Sequence, residues 1–303
     1  MYSGIPYGAF YDDPYCRVSV DNVRMKFTYK YKGFDHDKRE PVLAVDRCCS
    51  HLERLFYRGY EVAFSSAEFR IGKYEHTCTI KGLDWSCAVM VGRYTYDSSC
   101  RQTAPEAVFD FNPNKVPRDC IDVVVQILSE GCVKREIVRY DVAFDFPVSR
   151  EEVTLIRNSR QCYRQFWDAS KGLTEYQGER SAHNAMKLYD KTKECGLSVP
   201  VTRCEITVGG DYKRSLRDLF PSLNVFAGVQ LDVDAVSLPF QVLACIKHPD
   251  LIPALKASCS SNTWRKYHDL IDSCGNSALS PDDWKAVDRF VSATLRELER
   301  GGL

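Results

Sequence analysis

The stretch Lys134 to Phe146, KREIVRYDVAFDF, alternates apolar and polar residues more cleanly than any other in the chain. Side chains on a strand point to opposite faces with a period of two. Val138, Tyr140, Val142, Phe144 and Phe146 therefore share one face, and Ile137, Arg139, Asp141, Ala143 and Asp145 share the other. The apolar face has to pack on helices. The other face carries two carboxylates and an arginine.

The rest of the pattern supplies partners for such a strand. Alternation predicts strands over Arg17 to Tyr31, Glu61 to Ile71, Tyr74 to Ile80, Trp85 to Val91, Ala107 to Phe111, Cys162 to Trp167 and Val201 to Val208. Glycines at 72, 82 and 92 mark turns, and Tyr94 to Ala104 reads as a polar loop. Helical spacing predicts helices over Glu40 to Tyr60, Lys115 to Glu130 and Arg150 to Asn158. In the second of these, Val116, Cys120, Val123, Val124, Ile127 and Leu128 form the buried side. After Gly210 the spacing turns helical: Lys213 to Phe220, Asp234 to Ile246, Leu251 to Ser258, Thr263 to Cys274, and Ser280 to Arg300 with Pro281 in its first turn. The expected fold is α+β, a mainly antiparallel central sheet with helices on one face. It is expected as an arm at 1–16, a body at 17–211 and a helical region at 212–303.

Composition excludes some functions. The 303 residues suffice for one large domain or two ordinary ones. The 14 cysteines are scattered with no CxxC pair, which argues against a zinc site. Several, such as Cys204 and Cys245, fall in apolar patterns where a thiol packs as a small core residue. The opening residues lack an apolar signal-peptide core, and no run of about 18 apolar residues exists to span a membrane. A reduced, cytoplasmic protein is expected. Lys plus Arg equal Asp plus Glu at 41 each, which argues against a general nucleic-acid binder but allows local basic patches. No HExxH, P-loop, GxGxxG or GxSxG occurs.

The chemistry concentrates in Thr174 to Glu194, TEYQGERSAHNAMKLYDKTKE. It reads as two short strands. On the second, His183, Ala185, Lys187, Tyr189 and Lys191 fall on one face, so a phenol lies between two lysines. That grouping suits phosphoryl transfer, with cations to hold a phosphate and favour the phenolate. It also suits a plain solvated face with a tyrosine under lysine stems. If the strands carrying Asp141 and Asp145, Lys187 to Lys191, and Arg203 and Glu205 lie side by side, one face gathers carboxylates, cations and a phenol. Asp141 and Asp145 are on the order of 13 Å apart on an extended strand, so they cannot share one ion. One is left as a ligand, the other as a partner for Arg203 or Arg139. Asp110, on the polar face of its own strand, is a third candidate.

These residues carry a resemblance. A Tyr-x-Gly-x-Arg block stands at Tyr176, Gly178 and Arg180, followed by Tyr189, Asp190, Lys191 and Glu194. Upstream come FDFNPNK, a helix, and RYDVAFDF; downstream come TRCEI and SSNTWRKYHDLI. In this order the blocks resemble the Rep-trans family: initiators of rolling-circle plasmid replication, with related relaxases of integrative elements and some filamentous-phage replication proteins. The likeness covers Ala107 to Val208 well and the C-terminal part loosely. It implies an enzyme that nicks one DNA strand through Tyr189, stays joined to the 5′ phosphate, leaves a 3′ hydroxyl, and later rejoins the strand. Lys191, Lys187 and Arg180 would assist at the phosphate, with Tyr176 as fallback nucleophile. Asp141, then Glu205, then Asp110 would hold Mg²⁺ or Mn²⁺; relatives carry Glu where Asp110 stands. Arg203, Lys213, Arg214, Arg217, Arg265 and Lys266 are candidate DNA contacts. The implied partners are an origin with an inverted repeat, single-stranded at the nick, a second copy of the chain, and a host helicase. A non-cleaving DNA-binding regulator on the same scaffold is the competing reading.

Overall fold

The computed structural model describes residues 17–29, 51–53, 59–66, 74, 76–92, 95–96, 102–103, 105–146, 149–155, 161–179, 182–209, 225–227, 241–242, 245, 251–275 and 281–300. In chain order the strands are β1 (Arg17–Tyr29), β2 (Glu61–Ser66), β3 (His76–Lys81), β4 (Ser86–Gly92), β5 (Thr95–Tyr96), β6 (Gln102–Thr103), β7 (Glu106–Phe111), β8 (Cys132–Phe146), β9 (Val153–Leu155), β10 (Tyr163–Asp168), β11 (Gly172–Gln177), β12 (Met186–Asp190), β13 (Thr202–Gly209) and β14 (Val225–Ala227). The helices are α1 (Arg118–Ser129), α2 (Lys191–Cys195), α3 (Ile252–Ser258), α4 (Ser261–Gly275) and α5 (Pro281–Arg300). The chain divides into two compact units. One comprises Met1–Tyr7, Val20–Tyr140 and Ala293–Leu303; the other comprises Gly8–Ser19 and Asp141–Ser292.

In the first unit the strands run in the order β8, β1, β7, β4, β3, β2. The pairings of β1 with β7, β7 with β4, β4 with β3 and β3 with β2 are antiparallel, as α+β patterning requires. Burial along β1 changes phase once. Val18 and Val20 are buried, then Val23, Met25, Phe27 and Tyr29. Asp21 and Asn22 absorb the shift, in the manner of a bulge. The FNPNK turn braces this point: Asn114 Nδ2 donates to the Val20 carbonyl at 2.8 Å and Asn112 Nδ2 donates to Asp21 at 3.2 Å. The turn also delays α1. Lys115 and Val116 donate backbone N–H groups to Asn112 O, and Pro117 is the N-cap, so the helix begins at Arg118 rather than Lys115. Its buried residues are Cys120, Ile121, Val124, Val125 and Leu128, a stripe rotated from the expected one. Tyr29 Oη donates to the Leu128 carbonyl at 2.8 Å, satisfying an acceptor that the helix end leaves open.

In the second unit the order is β10, β11, β12, β13, β8, and the pairings from β10 through β13 are antiparallel. Four expectations are corrected. Arg150 to Asn158 does not open as an α-helix: Arg150–Glu152 is a single 3-10 turn leading into β9. β14 pairs with β9, a strand inside the region expected to be helical. β5 and β6 pair within the stretch expected as a loop. The strand expected over His183 to Lys191 ends at Asp190, where α2 begins. The expected helices α3, α4 and α5 are present, and Val242, Cys245, Leu255 and Ile271 form a small core with Trp264 and Tyr267 packed against it. The arm at 1–16, the stretch 213–220, and most of the helices expected over 40–60 and 234–246 lie outside the described residues.

Cys78, Cys87, Cys120, Cys132, Cys162, Cys195, Cys204, Cys245 and Cys259 are free thiols. Cys204 and Cys245 are buried, as their apolar surroundings imply. Cys78, Cys87 and Cys120 are buried in the first unit, and a hydrogen bond with Cys120, with burial, pushes the Cys87 thiol far above its ordinary value. Among the described residues no helix is long and apolar enough to cross a membrane.

Candidate active site on the face of β12 and β13

The turn between β11 and β12 sets the site's register. Gly178 has φ +87°, and a Cβ there would meet Ala185 Cα at 3.2 Å, so the position favours glycine. Gly178 N donates to Cys162 O at 2.8 Å and ties the turn to the start of β10. From there Tyr176 pairs with Lys187 and Thr174 with Tyr189; across β12, Lys187 pairs with Glu205 and Tyr189 with Arg203. Residues directly opposite on neighbouring strands share a face. The phenol, the lysine, the carboxylate and the guanidinium are therefore gathered on one face, the arrangement that alternation made conditional.

Why the chain turns at Asp190 is a matter of capping. Asp190 is the N-cap of α2, and its carboxylate accepts from Lys193 N at 2.9 Å. Asp is among the residues that make this bond best. Lys191 N donates to Val201 O at 2.9 Å and Val201 N donates to Thr192 Oγ1 at 2.6 Å, pinning α2 to the chain entering β13. Lys191 thus leaves the strand but stays beside the tyrosine.

Tyr189 is 4% exposed, and its Oη donates to Glu205 Oε1 at 2.6 Å. Lys187 Nζ lies 3.7 Å from the tyrosine ring centroid and 3.7 Å from Glu205 Oε2. Lys191 Nζ lies 5.7 Å from the same ring and forms a 2.5 Å ion pair with Glu194. Arg203 donates to both oxygens of Asp145, at 2.5 and 2.7 Å. This pair puts Asp145, and by alternation Asp141, on the face of Tyr189.

Charge is tuned tightly here. Burial first, then the Glu205 charge, pushes the Tyr189 phenol well above its ordinary value, against the pull of Arg203. The phenol is held neutral, contrary to the expectation that the lysines would favour the phenolate. Burial and Arg203 work against the charge on Lys191, but the Glu194 carboxylate outweighs them and the lysine's pKa is raised. Burial works against Glu194 in turn, and Lys191 more than offsets it, so its pKa is lowered.

The remaining expected residues fall elsewhere. Asp110 belongs to the first unit, where Arg24 grips one of its oxygens through two nitrogens, one bond of 2.9 Å among them. Arg203, expected as a DNA contact, is 6% exposed and engaged by Asp145. Tyr176 is half-buried, with its ring 5.8 Å from Phe166 in an edge-to-face contact. Arg265 and Lys266 are exposed on α4. Arg180, Lys213, Arg214 and Arg217 lie outside the described residues. Among the described residues no group of three His, Cys, Asp or Glu side chains is assembled to hold a metal ion. Glu205 is engaged by Tyr189 and Lys187, and Asp110 by Arg24. Sequence reasoning placed Glu194 in the resembled block but gave it no role; the signal for its pairing with Lys191 was their i, i+3 spacing after a capping Asp.

No family model matches the chain, and no curated protein matches it. Seven chains of solved structures match. Among them is the rolling circle replication initiator protein from Geobacillus stearothermophilus, at 15% identity and a TM-score of 0.36 over 86% of this chain and 97% of that one.

Proposed function

We propose that the protein is a rolling-circle replication initiator or relaxase that nicks and rejoins one DNA strand through Tyr189. The observation that carries this reading is the placement of the Tyr189 phenol 2.6 Å from the Glu205 carboxylate, with Lys187 Nζ 3.7 Å from its ring. The block order from Ala107 to Val208 supports it independently. In the proposed step Tyr189 Oη attacks the scissile phosphorus while its proton passes to Glu205. The bond from phosphorus to the 3′ oxygen breaks, a 5′-phosphotyrosine forms, and the departing oxygen takes a proton from water to become a 3′ hydroxyl. The reverse step rejoins the strand. Lys187, and Lys191 once released from Glu194, hold the phosphate and offset charge that develops on it. Dependence on Mg²⁺ or Mn²⁺ is tested directly by chelation. A second copy of the chain and a host helicase are the partners this reading calls for.

The test needs no known origin. Wild-type protein, with and without Mn²⁺, is incubated with a pool of random single-stranded oligonucleotides and washed under denaturing conditions. A covalent adduct is expected from wild type and none from Tyr189→Phe. The second reading, a regulator that binds DNA without cleaving it, is favoured by the burial of Tyr189 and its neutral phenol. It expects DNA binding from both proteins and an adduct from neither.

A further inference from the structure

β10 is an end strand in the order of the second unit, and it exposes unusual side chains for that position. Phe166 is 58% exposed and Trp167 is 75% exposed. Exposed aromatics on a sheet edge invite aggregation, and edges are ordinarily blunted with charge or proline. Isolated surface aromatics need no account, but Phe166 is not isolated. It pairs in register with Thr174, which pairs with Tyr189, so Phe166 and Tyr189 stand in one row on one face. At about 4.8 Å per spacing, the two spacings across β11 put them about 10 Å apart. The adjacent row on that face runs Arg164, Tyr176, Lys187, Glu205. The Phe166 and Tyr176 rings meet edge to face at 5.8 Å. Aromatic planes interleaved with cations, beginning at Lys187 and ending at exposed Arg164, form the combination that holds single-stranded nucleic acid: bases stack, and phosphates meet the charges.

The other face of β10 shows why this platform is firm. Tyr163 Oη donates to Glu175 at 2.5 Å, and Glu175 is buried in an ion pair with Arg150. That network anchors the strand from beneath and leaves the Arg164–Phe166 side open. Trp167 lies on the opposite side of the strand from Phe166 and serves as an internal control.

We propose that the face of β10 and β11 is a binding track for single-stranded DNA beside Tyr189, with Phe166 and Tyr176 stacking bases and Arg164 meeting a phosphate. The proposal rests on the nicking reading for its choice of nucleic acid over a second copy of the chain. Stacking is tolerant of sequence, so the probe is a labelled oligothymidine, and the readout is fluorescence anisotropy of the full chain. Phe166→Ala is expected to weaken binding roughly five- to one-hundred-fold. Phe166→Trp keeps an aromatic plane and is expected to restore it, whereas Phe166→Leu, with apolar bulk and no ring, is not. Trp167→Ala is expected to change affinity by less than about twofold. Arg164→Gln is expected to reduce the slope of log affinity against log salt by about 0.7.

Several results would overturn the proposal. Unchanged affinity in Phe166→Ala, with thermal unfolding like wild type, is one. Equal losses from Trp167→Ala and Phe166→Ala are another. Loss of a wild-type dimer in Phe166→Ala without loss of DNA affinity would make this face a contact between copies instead. The adduct experiment separates the two readings. An adduct with Phe166-independent binding leaves nicking standing and removes the track; Phe166-dependent binding with no adduct does the reverse.

Discussion

Two tyrosines, one in each unit, make nearly the same hydrogen bond in different company. Tyr74 Oη donates to Glu106 Oε1 at 2.9 Å, and Tyr189 Oη donates to Glu205 Oε1 at 2.6 Å. In both, burial heads the causes that push the phenol above its ordinary value, and the carboxylate adds to it. The difference lies in the nearby cations. Arg24, which draws on the charge of Tyr74, is ion-paired to Asp110. Two residues along β1, Lys26 is paired to Glu136 of β8, which Lys134 also reaches. There Arg24, Lys26 and Lys134 are each drawn to a carboxylate other than the phenol's acceptor. Around Tyr189, Lys187 instead stands over the ring and reaches the same carboxylate that accepts the phenol proton. A buried Tyr–Glu bond is thus a structural device in itself. Lysines held against the ring are what make it a candidate for phosphoryl transfer.

The largest expected effect breaks the comparison outright. Tyr189→Phe abolishes the covalent DNA adduct, while Tyr74→Phe leaves its yield unchanged. Each substitution removes one hydrogen bond to a largely buried carboxylate and costs about 1–3 kcal/mol in urea unfolding, so stability serves as the control. An adduct formed by Tyr189→Phe, or lost in Tyr74→Phe, would reverse the assignment. Next is the buried pair beneath the site. Glu175→Ala leaves the Arg150 guanidinium, 5% exposed, without its carboxylate. A loss of about 3–5 kcal/mol is expected, read from the denaturant midpoint.

Lys187→Gln tests the difference itself. A fall of about 10²–10³ in the single-turnover rate of adduct formation is expected, as for loss of one group that stabilises developing charge. Arg24→Ala, its counterpart in the first unit, is expected to leave that rate unchanged. It should cost under about 1 kcal/mol of stability, because its ion pair is partly exposed. The smallest effect concerns pH. The pKa of Glu194 is lowered in the folded state, so its contribution is present above its ordinary 4.5 and is lost as pH falls through that range. The pKa of Lys191 is raised, so its contribution is present below 10.5 and is lost as pH rises beyond it. Lys191→Met should flatten the acid limb of the stability profile by under about 1 kcal/mol, because Glu194 is about a third exposed.

Much of the sheet was legible because alternation is a local signal. β8, β10, β11, β13 and the helices α3 to α5 lie where the residue pattern puts them. Where the reading failed, a nonlocal or single-residue effect decided. Val153 to Leu155 became a strand because β14 supplies a partner about seventy residues away, and tertiary pairing overrides weak local preference. Asp190 ended β12 one residue early because one capping bond outweighs a further residue of alternation. Spacing left Asp141 or Asp145 as a partner for Arg203 or Arg139; only strand order decided that Asp145 engages Arg203.

The sequence by itself determined the strand faces. The two-residue period puts Lys187 with Tyr189, Arg203 with Glu205, and Asp141 with Asp145, whichever strands become neighbours. Only the tertiary structure decided what those faces do. Strand order and register set Glu205 against the phenol, drew Asp145 to Arg203, and left Asp110 to Arg24. The physical reason is that hydrogen bonds and ion pairs are settled over a few ångströms. Residues separated by 16 or 58 positions in sequence meet at that range only after the sheet has formed.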